Sequence, residues 1–392
     1  MGHENGTYKI LIIDLIGLKF DNHGMPDPLE VKAHIEAKGG KFHFGGWQQG
    51  QQIAIHKLNF YYEPDLSTSA EILPLTDQGQ YDAVIAAASF IPKESIFKLG
   101  AVRIGAGTGN MASASWGGGS GVGGIAPLMN TPSFNSRATA QMVFKNLLRV
   151  RPNLPVDELH ARVVAGDFDT GRNLREYPTE KLEGKKFAIM GFGNIGGEVA
   201  RIAAAFGMKV VVYSRPHHRI GIEAQGFEFA ASKIDAARGA DVLSVHVGLG
   251  AFDATAKKYA NADLIDDKVF AVMNDQSVLI NYDRGELVSV AALDQALHSG
   301  RLAHAAIDAD LFKDETTGVL SGPLLPYIDL AQRYPGKLQL LPHAAADTDH
   351  PSRVAGAKQA VDQIIDCILL KRIFNLKGSL PEGYEDAGAK TV

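Results

Sequence analysis

The sequence predicts an α/β protein of two doubly wound parallel sheets, and three observations carry that prediction. Short apolar runs without polar alternation recur along the chain, as strands buried on both faces require. Helical stretches separate these runs through most of the second half, the order that builds a parallel sheet. Between one apolar run and an Ala-rich helix stands Gly191-x-Gly193-x-x-Gly196, a turn that brings backbone amides to a helix start.

Length and composition bound the class. The 392 residues suffice for two domains with substantial cores. Hydrophobic residues make up 45% and the net charge is −5, so no basic excess points to nucleic acid. No apolar run reaches transmembrane length, and no membrane or metal partner is expected. The N-terminal Met-Gly-His-Glu-Asn-Gly-Thr leads straight into a strand, without the charged-then-apolar layout of a signal segment. The single cysteine, Cys367, cannot form an internal disulfide and lies in an apolar helical pattern. It predicts a core residue in a cytoplasmic protein.

Taken in order, residues 8–15 predict the first strand and residues 28–39 a helix stopped by glycines. Residues 41–58 are polar and show no clear period. Residues 81–88 and 101–105 predict two more buried strands. Between Ala112 and Gly124 serine and glycine are so dense that a mobile loop, and no regular element, is expected. Residues 136–150 predict a long helix with Ser136 as its cap. After the glycine signature come short apolar runs at 241–247, 277–281, 303–307 and 338–341. Residues 313–336, with Pro323, Pro326 and Pro335, predict an irregular insertion. A final helix is expected over 351–371, followed by a polar tail.

The glycine signature sits in the context it requires. Residues 187–190 predict a strand, 194–206 a helix with Gly207 beyond its end, and 210–213 a second strand. Gly191 permits the tight turn, Gly193 lets the backbone approach a pyrophosphate, and Gly196 lets helix and strand pack closely. Asn194 and Ile195 then open the helix whose amides face the phosphates. The end of the second strand says which dinucleotide. An NAD site places a carboxylate there, but this chain has Ser214, then Arg215, Pro216, His217, His218 and Arg219. Nothing repels a 2′-phosphate and several cations can bind one, so NADP(H) is favoured over NAD(H). The alternative is a solvated basic turn.

Three further stretches carry a resemblance to a known family. Val278-Leu279-Ile280-Asn281-Tyr282-Asp283-Arg284-Gly285 resembles its apolar strand, Asn and Arg-Gly motif. Residues 300–308, ending in Ala306-Ile307-Asp308, are similar to its strand ending in Leu-Asp-Val. Leu341-Pro342-His343 resembles its Pro-His motif. Together with the glycine signature these resemble the D-isomer-specific 2-hydroxyacid dehydrogenases, with a coenzyme site like that of glyoxylate and hydroxypyruvate reductases. The resemblance covers residues 80 to 370. It implies a split substrate-binding domain, residues 1–135 plus 346–392, of flavodoxin-like type. A Rossmann-like coenzyme domain, 136–345, is inserted into it, with the active site in the cleft. It also implies a homodimer formed through the coenzyme domain.

The chemistry implied is hydride transfer between a nicotinamide and a 2-keto or D-2-hydroxy acid. Arg284 suits the cation that grips the carboxylate and polarises the ketone, since a guanidinium donates along two directions. The bland alternative is an Arg paired with Asp283. His343 suits the general acid/base, because imidazole titrates near neutrality; His350 is a nearby competitor. A carboxylate should hold the imidazole and raise its pKa. Counting from Asp308 in the family pattern lands on Lys313, whereas counting from Asp310 lands on Glu315, which is expected to supply the anion, with Asp314 second. Asp308 is expected near the nicotinamide carboxamide, or Asp310 in the second register; the bland alternative is a strand-end cap. His246, Val247 and Gly248 resemble the segment lining the adenine side, with Gly248 where the family has Pro. Gly107, Thr108 and Gly109 resemble the loop whose amides hold the substrate carboxylate. The Trp116 and glycine run departs from the family; it either reshapes the pocket mouth for a larger substrate or is a surface loop. A formate- or phosphite-type dehydrogenase and a nucleotide-sensing corepressor-like protein are the competing readings.

Overall fold

In the computed structural model, which describes residues 6–48, 57–151, 154–314, 317–343 and 349–389, the Tyr8–Ile13 strand shows why its apolar run is unbroken. Ile10 and Ile12 face one core and Leu11 and Ile13 face the other, so the last four positions are all buried. Phe187 to Met190 repeat the pattern elsewhere, with Ala188 and Met190 in one core and Phe187 and Ile189 in another. The two strands belong to separate compact units, Met1–Ala138 with Asp347–Val392 and Thr139–Ala346.

The first unit is a seven-stranded sheet. Across it run Lys41–Phe44, Leu58–Glu63, Tyr8–Ile13, Ala83–Ala86, Gly100–Arg103, Leu128–Asn130 and Leu376–Lys377. All pairings are parallel except the last, where Leu376 meets Met129 antiparallel. Without the Lys41–Phe44 edge strand, the parallel order is the flavodoxin-like 2-1-3-4-5. The Leu58–Glu63 strand and the Ser69–Thr76 helix were not foreseen. The helix carries its own signal, a capping box in which Thr68 and Glu71 satisfy each other's backbone amides. Pro74 inside it masks the helical pattern.

The glycine-rich run corrects the sequence expectation. Trp116 is fully buried, its Nε1–H donates to the Met111 carbonyl at 2.8 Å, and its ring stacks on Phe97 at 5.7 Å. The chain folds tightly round the indole: a Cβ on Gly124 would lie 2.0 Å from the Trp116 Cα. The glycines therefore let backbone close over a core tryptophan, while Val122 on the same run stays exposed.

The long helix runs Pro132–Val150, and the boundary between the units falls within it. Ser136 is not its cap. The Ser136 hydroxyl donates to the Pro132 carbonyl, one turn back inside the helix. The last helix, His350–Leu370, is capped by Asp349 and packs Val354, Val361, Ile364 and Cys367 into the first unit's core. Burial pushes the Cys367 thiol up to about 12, as an inert core cysteine requires.

The second unit is a seven-stranded sheet. Its strands are Glu228–Ala230, Lys209–Tyr213, Lys186–Met190, Val242–Val245, Ser277–Asn281, Leu302–Ala309 and Leu338–Pro342, all parallel. The chain starts at the Lys186–Met190 strand, builds outward to Glu228–Ala230, then returns to the other side at Val242–Val245. That reversal is the topological switch point at which open α/β sheets bind ligands. The expected irregular insertion is more ordered than its prolines suggest. Phe312–Lys313 pairs with Leu320–Ser321, and Leu325–Arg333 is a helix burying Tyr327 and Leu330. Pro326 sits in the first helical turn, where a missing N–H costs nothing.

Candidate functional site

The glycine turn has the geometry its spacing implies. Gly191 has φ +101°, donates its N–H to the Tyr213 carbonyl at 2.8 Å, and would press a Cβ to 2.1 Å from the His246 carbonyl oxygen. A Cβ on Gly196 would lie 2.2 Å from the Gly191 carbonyl oxygen. Gly193 is different: a Cβ there meets open space, so its glycine leaves room beside the backbone. It caps the Asn194–Ala205 helix without a side chain, leaving the first-turn amides around Asn194, Ile195 and Gly196 without a side-chain cap. These residues fit a dinucleotide, because uncapped amides and a positive dipole end converge beside an open backbone.

The second strand ends at Tyr213, and Ser214 leads into the Pro216–His218 turn. Arg215 Nη2 lies 3.4 Å from His218 Nε2, and the His217 and His218 rings are 4.1 Å apart. Arg219 is engaged by Glu223 at 2.8 Å. Among the described residues no carboxylate pairs with Arg215. Beside the glycine turn, His246 is buried, with Nε2 2.8 Å from Ser244 Oγ, and burial pushes its imidazole down to about 3. Val247 stands against Gly191, and the Gly248 carbonyl accepts from Asn261 at 2.7 Å.

The carboxyl ends of three adjacent strands, Ser277–Asn281, Leu302–Ala309 and Leu338–Pro342, bring a second group together. Asn281 Nδ2 donates to the Arg284 carbonyl at 2.7 Å, and the buried Tyr327 hydroxyl lies 2.6 Å from the Gly285 carbonyl. The backbone carbonyls of Arg284 and Gly285 are thus held, while the Arg284 side chain is 40% exposed with Nη1 3.7 Å from Asp310. Register places Asp308 opposite Leu341, so His343 follows beside it. His343 Nδ1 is 3.0 Å from Asp308 Oδ1, leaving Nε2 as the other ring nitrogen. That hydrogen bond raises the His343 pKa above its ordinary value, against burial and the nearby Arg284. Asp283 completes the cluster; burial pushes its carboxyl up to about 7, opposed by Arg284 and His343.

Glu315, the expected partner of His343, lies outside the described residues. The carboxylate in place is Asp308, which sequence matching put at the nicotinamide. Its contact with His343 depends on strand register, which spacing along the chain does not show. His350 is engaged within the first unit, where Nδ1 accepts the Leu18 N–H at 2.7 Å and Nε2 is 3.0 Å from Glu30. Also in the first unit, Gly107 and Gly109 have open space where a Cβ would be, and the Thr108 hydroxyl donates to the Gly119 carbonyl at 2.6 Å. Tyr327, unforeseen, acts across 42 residues of sequence, and no local signal marks it. Among the described residues no cluster able to hold a metal ion occurs, and no helix is long and apolar enough to cross a membrane.

Residues 153–331 match the model of the D-isomer specific 2-hydroxyacid dehydrogenase NAD binding domain. Over these residues the chain is similar to the D-isomer-specific 2-hydroxyacid dehydrogenases. Proteins similar to this chain include a glyoxylate reductase of Aeropyrum pernix, 30% identical over 239 residues, covering 60% of this chain and 64% of that protein. A glyoxylate reductase of Thermococcus litoralis is 33% identical over 194 residues, covering 47% and 53%. The chain thus spans just over half to just under two thirds of the length of these two relatives. In fold it is similar to an acyclic imino acid reductase in complex with NADPH and D-Arg, with TM-score 0.61, 19% identity, and 94% and 99% of the two chains covered.

Proposed function

We propose that the protein is an NAD(P)-dependent oxidoreductase that interconverts a 2-keto acid and a D-2-hydroxy acid, with NADP(H) preferred. One observation carries this reading: Arg284 and the Asp308–His343 pair share the carboxyl edge of the sheet that bears the glycine turn. The Thr139–Ala346 unit is assigned the coenzyme and the other unit the substrate-binding role. The Gly191–Gly196 turn would hold the pyrophosphate, with His246 to Gly248 beside it. The reduced nicotinamide supplies the hydride when bound. Arg284 draws the substrate carboxylate and ketone oxygen together, exchanging its loose contact with Asp310 for charge-assisted bonds. Within the first unit, the backbone amides of Gly107, Thr108 and Gly109 are assigned a substrate-binding role. Protonated His343, held at Nδ1 by Asp308, presents Nε2 and gives its proton to the oxygen as negative charge develops. In oxidation the neutral imidazole takes that proton back.

The NADP(H) preference is supported by Ser214 where a carboxylate would repel a phosphate, and by Arg215 with no acidic partner among the described residues. A homodimer through the coenzyme unit is supported by the Val156–Val164 helix, which buries none of its residues and exposes Val156, Val163 and Val164. A cytoplasmic location is supported by the single, buried thiol.

The test follows reduced-nicotinamide absorbance with NADPH and NADH in parallel against glyoxylate, hydroxypyruvate, pyruvate and aryl keto acids, and with formate plus oxidised coenzyme. NADPH-favoured reduction of a keto acid is expected. Turnover of formate alone would replace this reading with a formate-type dehydrogenase. Coenzyme binding without any turnover would favour a sensing role.

A further inference from the structure

The turn at the end of the second strand of the coenzyme unit contains more than positive charge. Arg215 has N–H groups and nothing to accept with, so the 3.4 Å contact to His218 Nε2 makes that ring nitrogen the acceptor. An accepting Nε2 belongs to a neutral imidazole whose proton is on Nδ1. The groups facing His218 are all cationic or can become so: Arg215 on one side and the His217 ring 4.1 Å away on the other. On the following helix, Arg219 is neutralised by Glu223, and no carboxylate reaches His218 among the described residues. Partial burial, His217 and Arg215 all hold the imidazole below its ordinary pKa. In the resting turn His218 is therefore uncharged.

A phosphate monoester entering this turn reverses each of these conditions. It offers acceptor oxygens to the Arg215 guanidinium, which frees His218 Nε2, and it replaces cationic neighbours with a dianion. The turn directly follows the residue whose carbonyl accepts the Gly191 amide, so it stands at the ribose end of the glycine turn. We propose that His218 takes up a proton when the 2′-phosphate of the coenzyme binds, so that the discrimination between NADP(H) and NAD(H) is itself set by pH. The inference rests on the assignment of this turn to the 2′-phosphate and adds the group that charges on binding. The imidazolium pKa is higher in the complex than in the free protein. The extra affinity is thus fully present below the free-state value and is lost as pH rises through the bound-state value. Each unit by which the two differ makes about a tenfold change in NADPH dissociation constant. The phosphate's own titration runs the other way, since binding among cations releases its remaining proton.

The experiment is calorimetry of NADPH and of NADH near pH 7 in two buffers of different ionisation enthalpy, on the full chain and on H218Q. Net proton uptake is expected with NADPH, none with NADH, and in H218Q with NADPH only the small release from the phosphate. Independently of any variant, the ring-proton resonance of His218 should titrate at higher pH after NADPH addition and stay in place with NADH. Tighter binding of NADPH with no proton uptake, or uptake that persists in H218Q, would overturn the inference and leave the phosphate site standing. NADPH binding no tighter than NADH at any pH would remove the site and the inference together.

Discussion

Replacing Asp308 by Asn tests the acid/base pair directly. The carboxylate is 6% exposed and lies 3.0 Å from His343 Nδ1, itself on a ring that is 29% exposed, so solvent screens little of the interaction. Asn keeps an oxygen able to accept from Nδ1–H but removes the charge. A hydrogen bond to a charged partner contributes about 1.5–3 kcal/mol, against about 1 kcal/mol for a neutral one. The difference, roughly 0.5–2 kcal/mol, corresponds to a fall of about 1 unit in the His343 pKa at 1.36 kcal/mol per unit. Asp308 raises the folded-state pKa, so the imidazolium needed for reduction persists to higher pH and is lost as pH rises through that value. In D308N the alkaline limb of kcat/KM for keto acid reduction should therefore move to lower pH by about 1 unit. Near neutrality the rate should fall roughly tenfold and recover on acidification. The assay is the pH profile of initial rates at saturating coenzyme. A uniform loss at every pH, with an unmoved limb, would refute the view that Asp308 acts through the charge of His343.

Other outcomes follow from the same structure. Arg284→Lys should lower kcat/KM on the keto acid by roughly 10²-fold, because an ammonium cannot bridge two oxygens, while coenzyme affinity measured by fluorescence stays put. Tyr327→Phe leaves the Gly285 and Val288 carbonyls without their hydroxyl. Urea unfolding should show a loss of about 1–3 kcal/mol, with a rise in substrate KM as the Arg284 loop loosens. Trp116→Ala should destabilise by about 3–5 kcal/mol in thermal melts, since the indole is a core residue; a change within about 0.5 kcal/mol would return the run to the surface. Gly196→Ala forces a contact with the Gly191 carbonyl and should abolish coenzyme binding by calorimetry.

Much of the second unit was legible because its signals are local. The strand at Lys186–Met190, the three glycines and the helix after them lie within one stretch, and each residue type answers a steric demand met there. Arg284 and His343 stand out for the same reason, as side chains just past apolar strands. The Asp308 contact was not legible, because it depends on which residue of a neighbouring strand stands opposite Leu341. Composition misled at Trp116 and at Leu325–Arg333. Glycine and proline mark turns on average, yet here they close backbone over an indole and open a helix. The Leu58–Glu63 strand was missed although it is fully apolar at its centre, because the polar segment before it hid its start.

Both tryptophans of the chain, Trp47 and Trp116, belong to the Met1–Ala138 portion, and the Thr139–Ala346 unit has none. Intrinsic indole emission is therefore a built-in reporter of one half only. A denaturation curve followed by that emission tracks the first unit, while coenzyme release tracks the second. Where the two curves coincide the halves melt as one cooperative body; where they separate, the gap between their midpoints measures how far one half can lose its order while the other keeps its own.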